Sequence, residues 1–505
     1  MYKTTQLIIL FITATIAHTG YAQTLTASIE DLKTKEPIPY VTIVLSNKKG
    51  VITNEEGRFS LSITNSTEKD SLFISCIGYE SVAKPVLQIK DSIIYMVPKT
   101  IKLKEILVSN KNYTADQIIG IVKDSLDKNY NKNFTKKKLF FRESYHQNLD
   151  KTNYTFMKST IKELNKKFLD SVLRSVPKKD DSYSEILCDL YGNYNREEQK
   201  IKTLKACRLY DKSSELDITK LEEKFNDIIK KNVKPDSYFK IKSGIFGTKI
   251  DAEEMGLVDA KKDSIALKKE LEERKKREEA RKTNYSLWKR NSIASQFKNL
   301  FFMDDTDVNV LSKSGKYEFQ LEDFTFLGDA PVYILNFSPK RGADYKGTMY
   351  VNADDFAVIR IDYENVKNLK SIKLLGISYQ ENIARGKMIF LKNKDNTYDL
   401  QFYEKEVGSR AGINRPLKII EKNRIVKGKN RQNELYVKID MTISSINKYE
   451  IVVFDTESIS EAQFSNFTEE NKITPVHLNK YDPEFWKGHN IMEPNLAIRD
   501  FIVKE

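Results

Sequence analysis

Between residues 24 and 98, apolar side chains recur with a period of two, and turn residues interrupt the runs at short intervals. Val41, Ile43 and Leu45 share one face of a strand. Phe59, Leu61 and Ile63 share a face of the next, with Arg58, Ser60 and Ser62 opposite. Such alternation belongs to strands with one buried side. Lys35-Glu36-Pro37-Ile38-Pro39 cannot continue a ladder, because proline has no N–H to donate. Lys49-Gly50 and Glu56-Gly57 supply glycines that tolerate positive φ. Short strands punctuated in this way indicate an all-β sandwich.

The order of these pieces is specific. A first strand, a glutamate–proline turn, PYVTIVL, the turn Thr53-Asn54-Glu55-Glu56-Gly57-Arg58-Phe59 and LFISCIGYE resemble the carboxypeptidase-regulatory-like family, a transthyretin-like β-sandwich. The resemblance implies a non-catalytic domain of the kind found at the N-terminus of bacterial envelope proteins. The family usually has Asp where Asn54 stands, and Asn preserves an Asx turn. IKLKEILVSNK (101–111), ADQIIGIVKDSLDKNY and LFFRESY are similar to the extension that follows this domain in such proteins. Phe141, Arg142, Glu143 and Tyr145 are among the matching residues, and the resemblance assigns them no role. Arg142 and Glu143 are expected either to join a ligand or partner site, or to sit on a strand facing solvent or pairing with each other.

Residues 1–22 read as a secretory signal peptide. Lys3 precedes the apolar LIILFITATIA, and Gly20-Tyr21-Ala22 is a small-x-small cleavage site. No later apolar run is long enough to span a bilayer as a helix. The expected location is therefore the periplasm or the outer-membrane surface. Three cysteines are present: Cys76, Cys188 and Cys207. Cys76 shares a strand face with Leu72 and Ile74 and reads as a buried thiol. Pairing of Cys188 with Cys207 stays open, since an odd count leaves at least one unpaired within the chain.

The expected organisation is α+β and β-rich: 1–22 signal peptide, 23–110 sandwich, 111–250 mixed α/β region, 251–300 charged helix or linker, and 301–505 antiparallel β domain with a C-terminal tail. Thr114 through Gln117 is a capping-box pattern ahead of an apolar stripe of Ile118, Ile119, Val122 and Leu126. Asn148-Leu149-Asp150-Lys151 is placed to close a hairpin. Residues 180–240 read as mostly helical, with a stop at Pro235. Residues 251–282 carry Glu270–Arg274, Glu272–Lys276, Glu273–Arg277 and Glu278–Lys282 at the favourable i,i+4 spacing, which suits a solvated helix between domains. From Tyr317 about nine strands follow, with breaks at Gly328, Gly342, Asn352–Asp355, Lys394–Asn396 and Gly428. They imply a large curved antiparallel sheet, a half-barrel in form. GTMYVNADDFAVIRIDYE is similar to one hairpin of the periplasmic lipoprotein-carrier type of sheet. Charges on both faces of strands such as LKIIEKNRIV speak for a soluble sheet over an outer-membrane barrel.

The formal charge is +13. Positive charge gathers at Arg410, Arg415, Lys418, Lys422, Arg424, Lys427, Lys429 and Arg431. This patch reads either as a dock for lipopolysaccharide phosphates or an anionic partner, or as a solvated edge hairpin whose lysines discourage edge pairing. Export argues against a nucleic-acid partner. The tail holds Asp482, Glu484, Trp486 and His489, and the expected role is docking of Phe485 and Trp486 onto the sheet. No H-E-x-x-H, G-x-S-x-G or P-loop motif occurs, no zinc-ligand spacing is present, and no catalytic, metal or cofactor residue is expected. The leading functional expectation is a non-enzymatic envelope protein that binds or helps assemble an envelope protein or glycan. A periplasmic carrier holding a lipid in the curved sheet is the alternative, and an unrecognised hydrolase the third reading.

Overall fold

The computed structural model describes residues 24–503 except 47–49, 65, 90–91, 100–112, 235, 252–263, 341, 426, 429 and 470–472. The signal peptide, the segment 101–111 and Lys429 lie outside the described residues, as do the side chains of Glu270–Arg274, Glu273–Arg277 and Glu278–Lys282.

Seven strands build the N-terminal sandwich: β1 (Thr24–Asp31), β2 (Thr42–Leu45), β3 (Gly50–Ile52), β4 (Arg58–Ser62), β5 (Ser71–Ser75), β6 (Val82–Pro85) and β7 (Ile93–Met96). β1 pairs antiparallel with β4 and parallel with β7. β2 pairs with β3 and β5, and β5 with β6. Val41, Ile43, Phe59 and Leu61 are fully buried between the sheets, as their alternation requires. Gly57 sits at φ +68°, where an added Cβ would stand 2.6 Å from the Ile29 carbonyl, so this turn needs glycine. Asn54 forms the expected Asx turn, accepting from the backbone N–H groups of Glu56 and Arg58. Its Nδ2 also donates to the Pro494 carbonyl at 3.1 Å, a bond an aspartate cannot make.

The other strands form one sheet: β8 (Thr135–Ser159), β9 (Lys179–Gly192), β10 (Gln199–Leu209), β11 (Ser237–Ser243), β12 (Phe246–Asp251), β13 (Tyr317–Leu327), β14 (Ala330–Pro339), β15 (Tyr345–Asn352), β16 (Val358–Asn365), β17 (Lys370–Leu374), β18 (Ile377–Lys392), β19 (Tyr398–Asn423), β20 (Arg431–Ser458) and β21 (Val476–Leu478). The order is β13-β14-β15-β16-β18-β19-β20-β8-β9-β10-β21, with β17 on β18 and the β11–β12 hairpin on β19. The path ends at β13 and β21 and does not close on itself.

Several expectations give way here. The boundary between 111–250 and 301–505 cuts through this sheet, because β8 is hydrogen-bonded along its length to β20. Lys179–Gly192 and Gln199–Leu209 are strands, joined by a loop with one 3-10 turn at Arg196–Glu198, and Ser213–Asn232 is the α-helix of the 180–240 stretch. Asn148 to Lys151 is no hairpin turn. β8 runs through it, and Asp150 is the extra residue of a β-bulge between the pairs Thr442–Lys151 and Ile443–Leu149. β19 (26 residues) and β20 (28 residues) are each a single unbroken strand. The predicted breaks at Gly328, Gly342, Asn396 and Gly428 do carry positive φ.

Four helices matter for the packing: α1 (Ala115–Asp124), α2 (Lys166–Ser175), α3 (Ser213–Asn232) and α4 (Ser264–Phe297). α1 begins with the expected capping box, and its Ile118, Ile119 and Val122 are buried. Because side chains alternate along a strand, the sheet buries two faces. Leu139, Phe141, Ile186 and Cys188 pack with α1, the end of α4 and Phe301–Phe302. Phe140, Leu187, Cys207, Phe402 and Val452 pack with the sandwich and the tail. α4 is therefore more than a solvated linker, since Tyr285, Ile293 and Phe297 near its C-terminus are buried in the first of these cores. α2 and α3 form a third cluster with Phe239 and Ile419.

This arrangement excludes the Cys188–Cys207 disulfide. Cys188 lies opposite Thr203, and Cys207 lies opposite Glu185. The two thiols are buried in cores on opposite faces of the sheet, and all three cysteines are free. Intact mass under non-reducing denaturation is expected to show three alkylatable thiols; a mass two hydrogens lighter would contradict this placement.

Lys137 is 2% exposed on the helix side, where Nζ donates to Thr135 Oγ1 and lies 4.9 Å from the Tyr194 ring centre. Burial pushes its ammonium down to about 8. An amine that holds its proton less tightly when folded destabilises the fold most below pH 8, and the cost fades as pH rises toward 10.5. Lys137→Met should raise the thermal midpoint at pH 7, with a gain that shrinks between pH 8 and 10.5. A shift of equal size at both ends of that window would contradict the buried-charge account.

Candidate functional site

One row of cross-strand partners runs across the sheet on its sandwich side. In register order it reads Asp362, Lys387, Glu404, Glu450, Arg142, Glu185 and Cys207, on β16, β18, β19, β20, β8, β9 and β10. Strand alternation puts each on the same face as Phe140, Phe402 and Val452. Opposite charges neighbour each other except at Glu404–Glu450. There Lys448 enters from the adjacent same-face position of β20, its Nζ 3.1 Å from Glu404 and 3.3 Å from Glu450. The same ammonium reaches Glu55 of the sandwich at 2.5 Å.

Burial divides the row in two. At the Arg142 end the charges are sealed, with the Arg142 and Glu185 side chains 1% and 0% exposed. Arg142 Nε donates to Glu185 at 2.7 Å, and Glu450 lies 3.8 Å from its Nη1. Its Nη2 donates to the Met492 carbonyl at 2.8 Å, and Nη1 to that of Glu493 at 3.4 Å. Glu185 also accepts from Trp486 Nε1 at 2.9 Å and from the Cys207 thiol at 3.5 Å. Burial pulls against the charge on Arg142, but Glu185 and Glu450 outweigh it and hold the guanidinium above its ordinary value. Burial pushes the neighbouring Glu493 carboxyl up, with Arg142 and Arg58 opposing. The tail is thus a docking segment, and Trp486 meets Phe140 edge to face at 5.4 Å.

At the other end the row lines an open groove of about 420 Å³. Its walls are Glu55, Thr348, Asp362, Glu364, Arg385, Lys387, Glu404 and Glu406. Lys387 Nζ lies 3.8 Å from Glu404, 4.0 Å from Asp362 and 4.1 Å above the Tyr40 ring. Tyr40 donates to Glu404 at 3.2 Å. Burial would raise the Glu404 carboxyl, but Lys448 and Lys387 overrule it and hold it below its ordinary value. Fixed carboxylates interleaved with ammonium and guanidinium groups can both accept and donate hydrogen bonds to a polar ligand. Among the described residues no group of three or more His, Cys, Asp or Glu is placed to hold a metal ion.

The residues singled out from the sequence do not converge. Phe141, Glu143 and Tyr145 lie on the helix side of β8, opposite to Arg142. Glu143 is bonded to Lys289 and Ser292 of α4, so neither solvent exposure nor pairing between Arg142 and Glu143 holds. The cationic patch belongs mainly to β19, which has β18 and β20 as neighbours and is not a sheet edge. Arg410 meets Asp150 at 3.4 Å, Arg424 meets Asp251 at 2.6 Å, and Lys418 and Arg431 both meet Glu434. Arg415 is buried against Ser243 and Phe246. Lys422 and Lys427 have no carboxylate partner among the described residues. The groove residues were missed although β19 and β20 showed charges on the face that alternation assigns to the interior.

Residues 27–108 match the family model of the CarboxypepD_reg-like domain, a non-catalytic regulatory domain. No curated protein matches the chain. Among solved structures, the Pseudomonas aeruginosa MucA/MucB complex is 6% identical over 65% of this chain and 93% of that one, with a TM-score of 0.15. MucB with MucA(peri) is 7% identical over 65% and 93%, with a TM-score of 0.14. A Bacteroides fragilis protein of unknown function is 8% identical over 87% and 99%, also at 0.14. Likenesses with TM-scores this low carry no argument about role. No helix among the described residues is long and apolar enough to cross a membrane.

Removing Arg142 would leave Glu185 and Glu450 buried without their cation. Arg142→Met is expected to cost about 3–5 kcal/mol in urea unfolding, and adding Glu185→Gln should recover part of that loss. Strictly additive losses in the double variant would show that the two side chains are not coupled.

Proposed function

We propose that the protein is an exported, non-enzymatic cell-envelope protein, located in the periplasm or on the outer membrane, that binds a polar partner. The partner is a segment of an envelope protein or a glycan, taken up in the groove where the sandwich meets the large sheet. The observation that carries this reading is the charged wall of that groove, with Glu55 from the sandwich and Asp362, Lys387 and Glu404 from the sheet. Hydroxyl-rich or peptide ligands satisfy such a wall, whereas a lipid tail would leave its charges desolvated and unpaired. A second cleft at the same junction, of about 520 Å³, is likewise edged by Lys392, Asp395, Asp399 and Asp455. The regulatory-like domain supports a binding role, since it adds a surface rather than chemistry. The pattern of residues 1–22 supports export.

Native mass spectrometry of the protein from its own envelope fraction tests the reading. The wild type should carry a saccharide or peptide mass, and Asp362→Asn with Glu364→Gln should lose it while keeping the circular-dichroism spectrum of the folded protein. A retained lipid mass would favour the carrier alternative, and a bare protein in both samples would remove the groove as the site.

A further inference from the structure

Two hairpin tips meet on β19, far from both sheet cores. Ile413 stands about 35 Å from Phe402 along the strand, at roughly 3.3 Å per residue. The β17–β18 turn and the β11–β12 turn both close on Arg415. An added Cβ on Gly376 would stand 3.0 Å from Arg415 Cγ, and one on Gly244 3.0 Å from its Nη2. Arg415 donates to the Ser243 carbonyl, and its guanidinium lies 4.9 Å from the Phe246 ring centre.

The side chains at these tips are apolar and exposed. Ile245 is 84% exposed, Leu374 62%, Leu375 53% and Phe246 52%. Leu374, Ile377 and Ile413 are register partners across three strands and share a face. The first turn is unusual in its own right. Leu375 (φ +48°) and Gly376 (φ +81°) are both left-handed, as in the two-residue turns that favour Asn-Gly. A leucine there is disfavoured by its backbone and by water alike. Within the tip segments themselves the charge has one sign, and acids enter only from neighbouring strands, as Asp440 does opposite Asn414 on β20. Lys240, Lys242, Lys249, Lys370, Lys373, Arg410, Arg415 and Lys418 occupy residues 240–249, 370–380 and 408–418, which contain no Asp or Glu. Some are answered from neighbouring strands, as Lys370 is by Glu381 and Lys418 by Glu434. Lys242 and Lys373 are exposed and have no carboxylate partner among the described residues.

We infer that this double tip is a membrane-surface anchor that inserts Leu374, Leu375, Ile245 and Phe246 into the interfacial layer of an anionic bilayer while Lys242 and Lys373 meet its headgroups. Exposed aliphatic and aromatic side chains ringed by cations have the chemistry of interfacial binding. The charge complementarity selects a lipid surface over an uncharged apolar partner. The anchor is separate from the groove.

Co-sedimentation of the full chain with vesicles tests it, using phosphatidylethanolamine with about a quarter phosphatidylglycerol against phosphatidylcholine alone. The wild type should pellet with the anionic vesicles and be released by salt. Leu374→Ser with Leu375→Ser, and separately Ile245→Ser with Phe246→Ser, should weaken partitioning by roughly tenfold or more without moving the thermal midpoint. Asp362→Asn with Glu364→Gln should pellet like wild type, which separates the anchor from the groove. A wild type that stays in the supernatant, tip variants that pellet unchanged, or equal binding to phosphatidylcholine would each overturn the inference.

Discussion

Arg142 sets the terms for the centre of this molecule. A guanidinium that is 1% exposed must have its charge balanced and its N–H groups bonded, or the fold carries an uncompensated buried ion. The partners come from three places. Glu185 and Glu450 flank it from β9 and β20, which fixes the register of both strands against β8. The Met492 and Glu493 carbonyls come from the tail, which must therefore return across the sheet. The next carbonyl, that of Pro494, receives Asn54, so the sandwich is held by the same returning segment. Ser62 adds a second hold, its N–H donating to Asn490.

The row of charges on the sandwich side has one chemistry and two fates. Where Trp486 and the tail cover it, each ion is spent on a neighbour and no ligand can reach it. Where the tail does not reach, the same alternation of acid and base lines an open wall. Position along the sheet, rather than residue type, separates structural charge from accessible charge. Lys448 stands at the junction, touching Glu55, Glu404 and Glu450 at once. Glu450, Glu404 and Glu55 outweigh burial and hold its ammonium well above the ordinary value.

What could be read from the sequence was mostly local. Period-two alternation found the sandwich, and the capping box at Thr114 placed α1. Turn residues that need positive φ were recognisable, as at Gly328 and Gly342. Gly408 lies within β19, where an added Cβ would press on Ile383 at 2.8 Å, so a glycine inside a strand marks a close approach between strands there. The charged row depends on which strands become neighbours, and that is set by pairings between distant segments. Arg142 looked like a surface residue because a lone arginine on a strand usually is one. Its partners lie 43 and 308 residues away, at Glu185 and Glu450, beyond any spacing rule.

The pairing of β8 with β20 also dictates an order of events in the life of the chain. Residues 135–159 leave the ribosome about 300 residues ahead of the strand that covers their edge. Until then β8 exposes one long row of unpaired N–H and C=O groups, and Phe140 and Phe141 lack most of their cover. β8–β9 and β19–β20 are pairings of sequence neighbours, but the β8–β20 ladder between them is not, so loop closure over more than half of the sequence precedes it. Such a chain gathers its centre last, and whatever escorts it between synthesis and final closure must shield β8 more than any other segment.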